Sequence, residues 1–331
     1  MIKNLTLSLF TLIPITFNYA YCGDFDNYDA LKTLISEVES EGIYSKAELN
    51  DLFFEVERQK VTLDLMTRPA ESVAQWKDYR PRFLTDRNIS KGVDFWNRYH
   101  EALEVAEQQF GVPPEIMVAI LGVETRYGGN KGRLKVIDSL ATLAFDFPRR
   151  SEYFTKELKN FLALSKEQGL DPLTVKGSYA GAMGYPQFMP SSWRKLGIDF
   201  DGDNKADLIN NPIDAIGSIG NYFKENGWQA EENIAFNATA AEANYDDIIN
   251  NKELNTTNTL GELKAKGLTI QSTLADSTPA SAIRFEGDKG TEYWVGLNNF
   301  YVITTYNRST MYAMAVFQLS QAIKEAKNSS Q

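Results

Sequence analysis

Gly111-Val-Pro-Pro-Glu-Ile-Met-Val-Ala-Ile-Leu-Gly-Val-Glu-Thr-Arg-Tyr-Gly128 reads as one short apolar helix that ends on a carboxylate. Pro113 and Pro114 suit the first turn, where a backbone N–H has no intrahelical partner and its loss costs nothing. From Ile116 to Val123 no side chain is polar. Glu124 follows Leu121 by three positions and Ile120 by four, so it shares their face. An apolar surround disfavours the ionised form of a carboxyl. The negative end of the helix dipole acts the same way. Both effects predict an acid that keeps its proton near neutral pH, which is what general acid catalysis requires. The plain alternative is a glutamate in solvent or paired with Arg126, since perturbed carboxylates also occur in structural pairs.

The rest of the composition narrows the chemistry around that residue. The chain has 331 residues, 43% of them hydrophobic. That is enough for one large domain or a few small ones. Lys and Arg number 34 against 44 Asp and Glu, with no basic block or stripe along the sequence. This balance speaks against a nucleic-acid partner and against electrostatic anchoring to anionic lipid. There is one histidine, His100, and one cysteine, Cys22. His100 sits in a helical stretch, Phe95 to Leu103, without a nucleophile signature beside it. A His/Cys zinc site lacks its ligands, and an intrachain disulfide is impossible. Carboxylates, Tyr, Ser, Lys and oxygen-ligated metals remain.

Residues 1–22 read as an export signal: Lys3, then a short apolar run from Leu5 to Phe17, too short to span a bilayer. A soluble exported, periplasmic protein is the expectation, in preference to a lipid anchor at Cys22. Residues 23–110 are expected as a helical N-terminal domain, with helical spacing clearest at Tyr28–Val38, Lys46–Val56 and Asp94–Phe110. Leu63 to Glu71 reads as a break. Residues 111–228 hold most of the motifs and are expected as the catalytic core. Residues 229–305 change character, with β-like runs at Ile234–Ala238, Ala280–Phe285 and Glu292–Thr304, and predict a small β-rich subdomain. Residues 306–331 are expected to return to the core as a helix, Thr310–Ala326, with a polar tail.

Three further stretches carry chemistry. Gly177-Ser-Tyr-Ala-Gly-Ala-Met-Gly-Tyr-Pro-Gln-Phe-Met-Pro-Ser-Ser-Trp193 interleaves small residues with aromatics and neutral hydrogen-bonding groups. Glycines allow close backbone approach, and the mixture suits a sugar, which has both hydroxyls and apolar faces; a tightly packed loop is the alternative. Asp199-Phe-Asp-Gly-Asp-Asn-Lys-Ala-Asp207, with Asp214 beyond, places carboxylates at alternating positions as in an EF-hand calcium loop. Asn204 stands where that loop has Gly, and Asn210 where it has Glu. Close carboxylates repel one another without a cation, and an all-oxygen set points to calcium in a structural role. Tyr306-Asn-Arg-Ser309 and Tyr312, near the C-terminus, read as a strand-to-helix turn.

Glu124-Thr-Arg-Tyr-Gly128, Ser178 to Gly184, Gln187 to Ser192, Pro212 to Ser218 and Tyr306-Asn307, in that order, resemble the membrane-bound lytic murein transglycosylase B family and its soluble relatives. The resemblance runs from about Tyr28 to Ala326. It implies a mainly α (α+β) fold: a lysozyme-like catalytic core with a helical flanking domain and a small antiparallel β subdomain. It makes Glu124 the catalytic acid and base. Ser178, Gln187, Phe188, Tyr222, Tyr306, Asn307 and Tyr312 match positions that line the glycan groove. Asp199, Asp201, Asp203, Lys205 through its carbonyl, and Asp214 match the metal loop, which is one residue longer here. The implied partners are peptidoglycan strands and other cell-wall enzymes, with no cofactor required for the chemistry. The implied reaction cleaves the bond between N-acetylmuramic acid and N-acetylglucosamine without water and leaves a 1,6-anhydro end. A hydrolytic muramidase and an inactive murein-binding scaffold are the alternatives.

Overall fold

A computed structural model describes residues 23–67, 75–240 and 245–329. The chain begins with α1 (Asp29–Ser40), α2 (Lys46–Phe54), α3 (Lys60–Thr67), α4 (Trp76–Tyr79), α5 (Asp86–Arg98), α6 (His100–Phe110) and α7 (Pro114–Thr125). There follow β1 (Leu134–Lys135), α8 (Val136–Asp146), α9 (Ser151–Gln168), β2 (Lys176–Gly177), α10 (Pro190–Leu196) and α11 (Pro212–Glu225). The remainder is β3 (Ala235–Ala240), β4 (Asn258–Thr259), α12 (Leu260–Ala265), β5 (Leu268–Ile270), β6 (Pro279–Gly287), β7 (Gly290–Gly296), α13 (Asn298–Tyr306) and α14 (Thr310–Ser329).

Helix α7 is apolar on every side, and such a helix has to be covered on every side. It is buried without interruption from Pro114 to Gly122, packed by α5, α6, α11 and α14. Each fully buried Ile or Leu there contributes about 1.5–3 kcal/mol. Around it lies a first core that includes Phe110, Ile116, Ile216, Phe300, Tyr312 and Val316. A second core joins α1, α2, α8, α9 and α10 through Leu34, Phe53, Leu140, Phe161 and Trp193. Residues 23–110 therefore do not share one core: α1 and α2 belong to the second, while α5 and α6 belong to the first. Tyr222 and Tyr306 pack against both.

The β-rich part is a five-stranded antiparallel sheet in the order β4-β6-β7-β3-β5, with Ile283 opposite Trp294 and Ala238 opposite Ile270. Helix α12 covers one face around a third core of Leu260, Leu263, Ala282 and Val295. A separate two-stranded pair, β1 with β2, sets Leu134 opposite Gly177 and so fixes the start of the glycine-rich loop.

The mainly helical fold with a small antiparallel sheet agrees with the sequence reading, and the exceptions have physical causes. The β-like run Glu292–Thr304 is a strand only to Gly296; Asn298–Tyr306 is helical. Aromatic and β-branched residues in Phe300-Tyr-Val-Ile303 favour extended chain, but this segment is buried from Asn299 to Thr304 against α14, and tertiary packing overrides the propensity. Tyr306-Asn307 consequently joins helix to helix rather than strand to helix. The break expected from Leu63 begins later, since α3 continues to Thr67. The expected export signal and Cys22 lie outside the described residues.

Candidate active site

Glu124 stands half-buried on the last turn of α7. Immediately after it the chain reverses through three left-handed residues, Arg126 (φ 52°), Tyr127 (φ 61°) and Gly128 (φ 84°). Two of these are not glycine, and such conformations cost free energy that surrounding contacts must offset. The contacts are visible. Thr125, fully buried, accepts from the Gly128 N–H at 2.9 Å and donates to the Tyr185 carbonyl at 3.2 Å. The Tyr127 hydroxyl donates to the Asn88 carbonyl on α5 at 2.9 Å. At Gly128 a Cβ would lie 2.1 Å from the Tyr185 ring, so only glycine permits this approach. The turn thus locks the end of α7 to the glycine-rich loop.

Tyr312, on the first turn of α14 and 2% exposed, donates its hydroxyl to Glu124 Oε1 at 2.6 Å. Tyr306 stacks beside it, ring centroids 6.4 Å apart at 12°, and donates to the Pro186 carbonyl at 2.6 Å. Burial pushes both phenols well above the usual tyrosine pKa, and the Glu124 charge adds to the shift. Both therefore stay protonated and act as donors. The charge of Glu124 bears on both rings. Tyr222 donates to the Thr305 carbonyl at 2.7 Å and lies 4.8 Å from the Tyr306 ring.

Not every residue expected in the groove lines it. Phe188 is 3% exposed and sits behind Tyr222 and Tyr306, 5.5 and 5.8 Å from their rings. It supports the aromatic wall from the core. The half-buried Ser178 Oγ accepts from the Ala180 and Ala182 N–H groups at 3.3 and 3.0 Å. Both bonds leave the hydroxyl proton free to be donated elsewhere. Gln187, in a left-handed conformation (φ 51°), donates through Nε2 to the Gly184 and Lys131 carbonyls. Asn307 is half-buried at the end of α13 and turns the chain towards α14, its carbonyl accepting from Ser309 N–H at 2.7 Å. One neighbour escaped the sequence reading: Tyr79, 2% exposed on α4, shares the first core with Tyr312. Its residue type, in a four-residue helix remote in sequence, gives no signal that could have found it.

The acidic loop joins α10 to α11. Asp199, Asp201 and Asp203 are exposed, and one oxygen of each falls within 4.8 Å of the others. Asp199 accepts N–H bonds from Gly202, Asp203 and Asn204. Asn204 has φ 70°, the left-handed geometry that the sixth position of a calcium loop requires and that Asn tolerates. Converging carboxylates with this turn fit a calcium ion. Asp214 does not join them. It is fully buried, and its oxygens accept from Phe200 and Asp207 N–H, each at 2.8 Å. Burial pushes its carboxyl up against those two bonds. The Lys205 carbonyl accepts from Asp207 N–H at 3.2 Å. The expected ligands thus divide into three that converge, a carbonyl already bonded, and one that ties the loop ends to α11.

The chain as a whole is similar to known proteins. The family described as "Transglycosylase SLT domain" matches residues 26–321. Membrane-bound lytic murein transglycosylase B of Escherichia coli (strain K12) is 41% identical over 314 residues, 92% of this chain and 85% of that protein. The catenated lytic transglycosylase SltB1 of Pseudomonas aeruginosa is 48% identical at a TM-score of 0.87, covering 92% of this chain and 100% of that one. The Escherichia coli lytic transglycosylase SLT35, solved in complex with calcium, is 41% identical at a TM-score of 0.86, covering 96% and 99%.

Proposed function

The chain belongs to the transglycosylase SLT domain family, and from that premise we propose that Glu124 serves in turn as acid and base on a murein glycan strand. The protein is a lytic murein transglycosylase, a lyase that leaves a 1,6-anhydro-N-acetylmuramic acid end. One observation carries the assignment of Glu124: its carboxyl, at the end of a buried apolar helix, is held by the hydroxyl of the buried Tyr312. Most glycosidases use two carboxyl groups, as acid and as nucleophile or base.

Protonated Glu124 donates to the glycosidic oxygen between N-acetylmuramic acid and N-acetylglucosamine, and that bond breaks. The oxygen of the muramic 2-acetamido group supports the positive anomeric carbon in place of a second carboxylate. Glu124, now ionised, takes the proton from the 6-hydroxyl of the same sugar, and that oxygen closes on the anomeric carbon. Glu124 regains its proton and no water enters the product. Tyr312 holds the carboxyl in position through both transfers. Ser178 and Asn307 orient the acetamido group; Tyr222 and Tyr306 offer ring faces to the sugars. The test is reducing-end release from murein sacculi. Solubilisation without new reducing ends supports the reading; one new reducing end per cut makes the protein a hydrolase, and no solubilisation makes it a binding scaffold.

Asp199, Asp201 and Asp203 would hold a calcium ion whose role is structural, pinning the segment between α10 and α11. A ligand that binds only the folded state at about a hundred times its Kd stabilises by about 2.7 kcal/mol. Calcium added to chelated protein is therefore expected to raise Tm by several degrees, and Asp201→Asn with Asp203→Asn to abolish the rise. An equal Tm with and without calcium in the unsubstituted protein removes the site. Among the described residues no helix is long and apolar enough to cross a membrane. The periplasm, where murein lies, is the compartment this reading assigns.

A further inference from the structure

Helix α14 is buried along one side and open along another. Leu319 and Ile323 face the first core, fully buried, whereas Gln318, Gln321, Ala322 and Glu325 recur at helical spacing on a side that is half-buried or exposed. On β7, Glu292 and Trp294 are two residues apart and so point to one face. These two surfaces, with α4 and the β6–β7 turn, enclose a cleft of about 540 Å³, an ordinary size for a small-molecule site. None of the groove residues described above lines it. Phe317, which does, follows Tyr312 by five residues, about 140° round the helix and about 7.5 Å along it. It thus leaves α14 on a different side from the phenol that meets Glu124.

The lining combines ring faces with polar groups. Trp294 and Phe317, both half-buried, meet at 84° with centroids 6.2 Å apart, so one ring forms a floor and the other a wall. Glu292 Oε2 accepts from the Trp294 and Trp76 indole N–H groups at 3.4 and 3.3 Å. Its Oε1 accepts from no described residue. Gly287 leaves room beside that oxygen, since a Cβ there would lie 2.2 Å from it. The exposed Gln321 brings an amide that both donates and accepts. Charge cancels around the cleft, where Lys77, Arg80 and Lys289 stand against Asp288, Glu292 and Glu325. Such a balance concentrates no ion of either sign. The lining suits a neutral molecule with apolar C–H faces and a rim of hydroxyl and amide groups, and an N-acetylhexosamine ring is such a molecule.

We propose that this cleft is a second saccharide site, which holds an N-acetylglucosamine unit of a murein strand apart from the catalytic groove. The choice of murein as the polymer rests on the lytic reading above. The probe is chitotetraose, the tetramer of N-acetylglucosamine, titrated into nitrogen-15-labelled protein. The Trp294 and Trp76 indole N–H signals should move saturably, because both end on the carboxylate that the sugar meets. Gln321→Ala should raise the midpoint about twofold to tenfold, the worth of one hydrogen bond. Trp294→Ala should raise the midpoint read at Trp76 about tenfold, the worth of roughly 60 Å² of apolar contact. Gln321 is exposed, so its variant keeps the test open should the Trp294 variant misfold. On insoluble murein, Glu124→Gln protein should be retained more weakly once Gln321→Ala is added. Indole signals that stay still whatever else moves, a midpoint that Gln321→Ala leaves in place, or equal retention on murein overturns the proposal. A wild type that releases no muropeptides from sacculi overturns the lytic reading instead, and the indole titration still decides whether the cleft takes a saccharide.

Discussion

Glu124→Gln is expected to lower turnover on murein by at least about a thousandfold. General acid–base catalysis by a positioned group contributes about 10²–10⁴-fold, and here one residue performs both transfers. Glutamine has the shape of the acid but neither its proton nor its anion, so it can neither protonate the leaving oxygen nor deprotonate the 6-hydroxyl. Its carbonyl can still accept from Tyr312, and α7 stays covered, so Tm and the circular dichroism spectrum should match the wild type. Strand binding should survive, because the aromatic wall and the glycine-rich loop do not depend on the charge. Turnover within tenfold of the wild type would move the chemistry to another residue.

The second large effect is expected at Tyr312→Phe. The lost bond is the 2.6 Å contact to Glu124 Oε1, and a hydrogen bond to a charged group is worth about 1.5–3 kcal/mol. Turnover should fall about tenfold to a hundredfold. The ring remains, stacked on Tyr306, so KM should change little. The wild-type phenol keeps its proton as pH rises through the ordinary tyrosine range, because burial and the Glu124 charge both oppose its ionisation. The gap between wild type and variant should therefore persist at mildly alkaline pH. A variant that binds poorly but turns over normally would make Tyr312 a groove residue and not a positioning one.

The parts of this site that the sequence discloses are those set by local rules. A run with no polar side chain from Ile116 to Val123 has to be a buried element, and two prolines at its start make it a helix. Glu124 then falls on its inner face by spacing alone. The acidic loop is legible for the same reason, since alternating carboxylates need no tertiary information. Tyr312 is different: it meets Glu124 across 188 positions, and only resemblance to a family placed it there. Tyr79 carries no local mark at all. Phe300 to Ile303 favours a strand by propensity and is a helix because α14 covers it.

The central claim is that one carboxylate suffices because an internal hydroxyl, not water, closes the reaction. Digestion of murein in water enriched in oxygen-18, followed by mass spectrometry of the released muropeptides, tests it directly. The account predicts anhydro ends that carry no heavy oxygen. Muropeptides ending in a reducing sugar with one heavy oxygen at the anomeric position would contradict it.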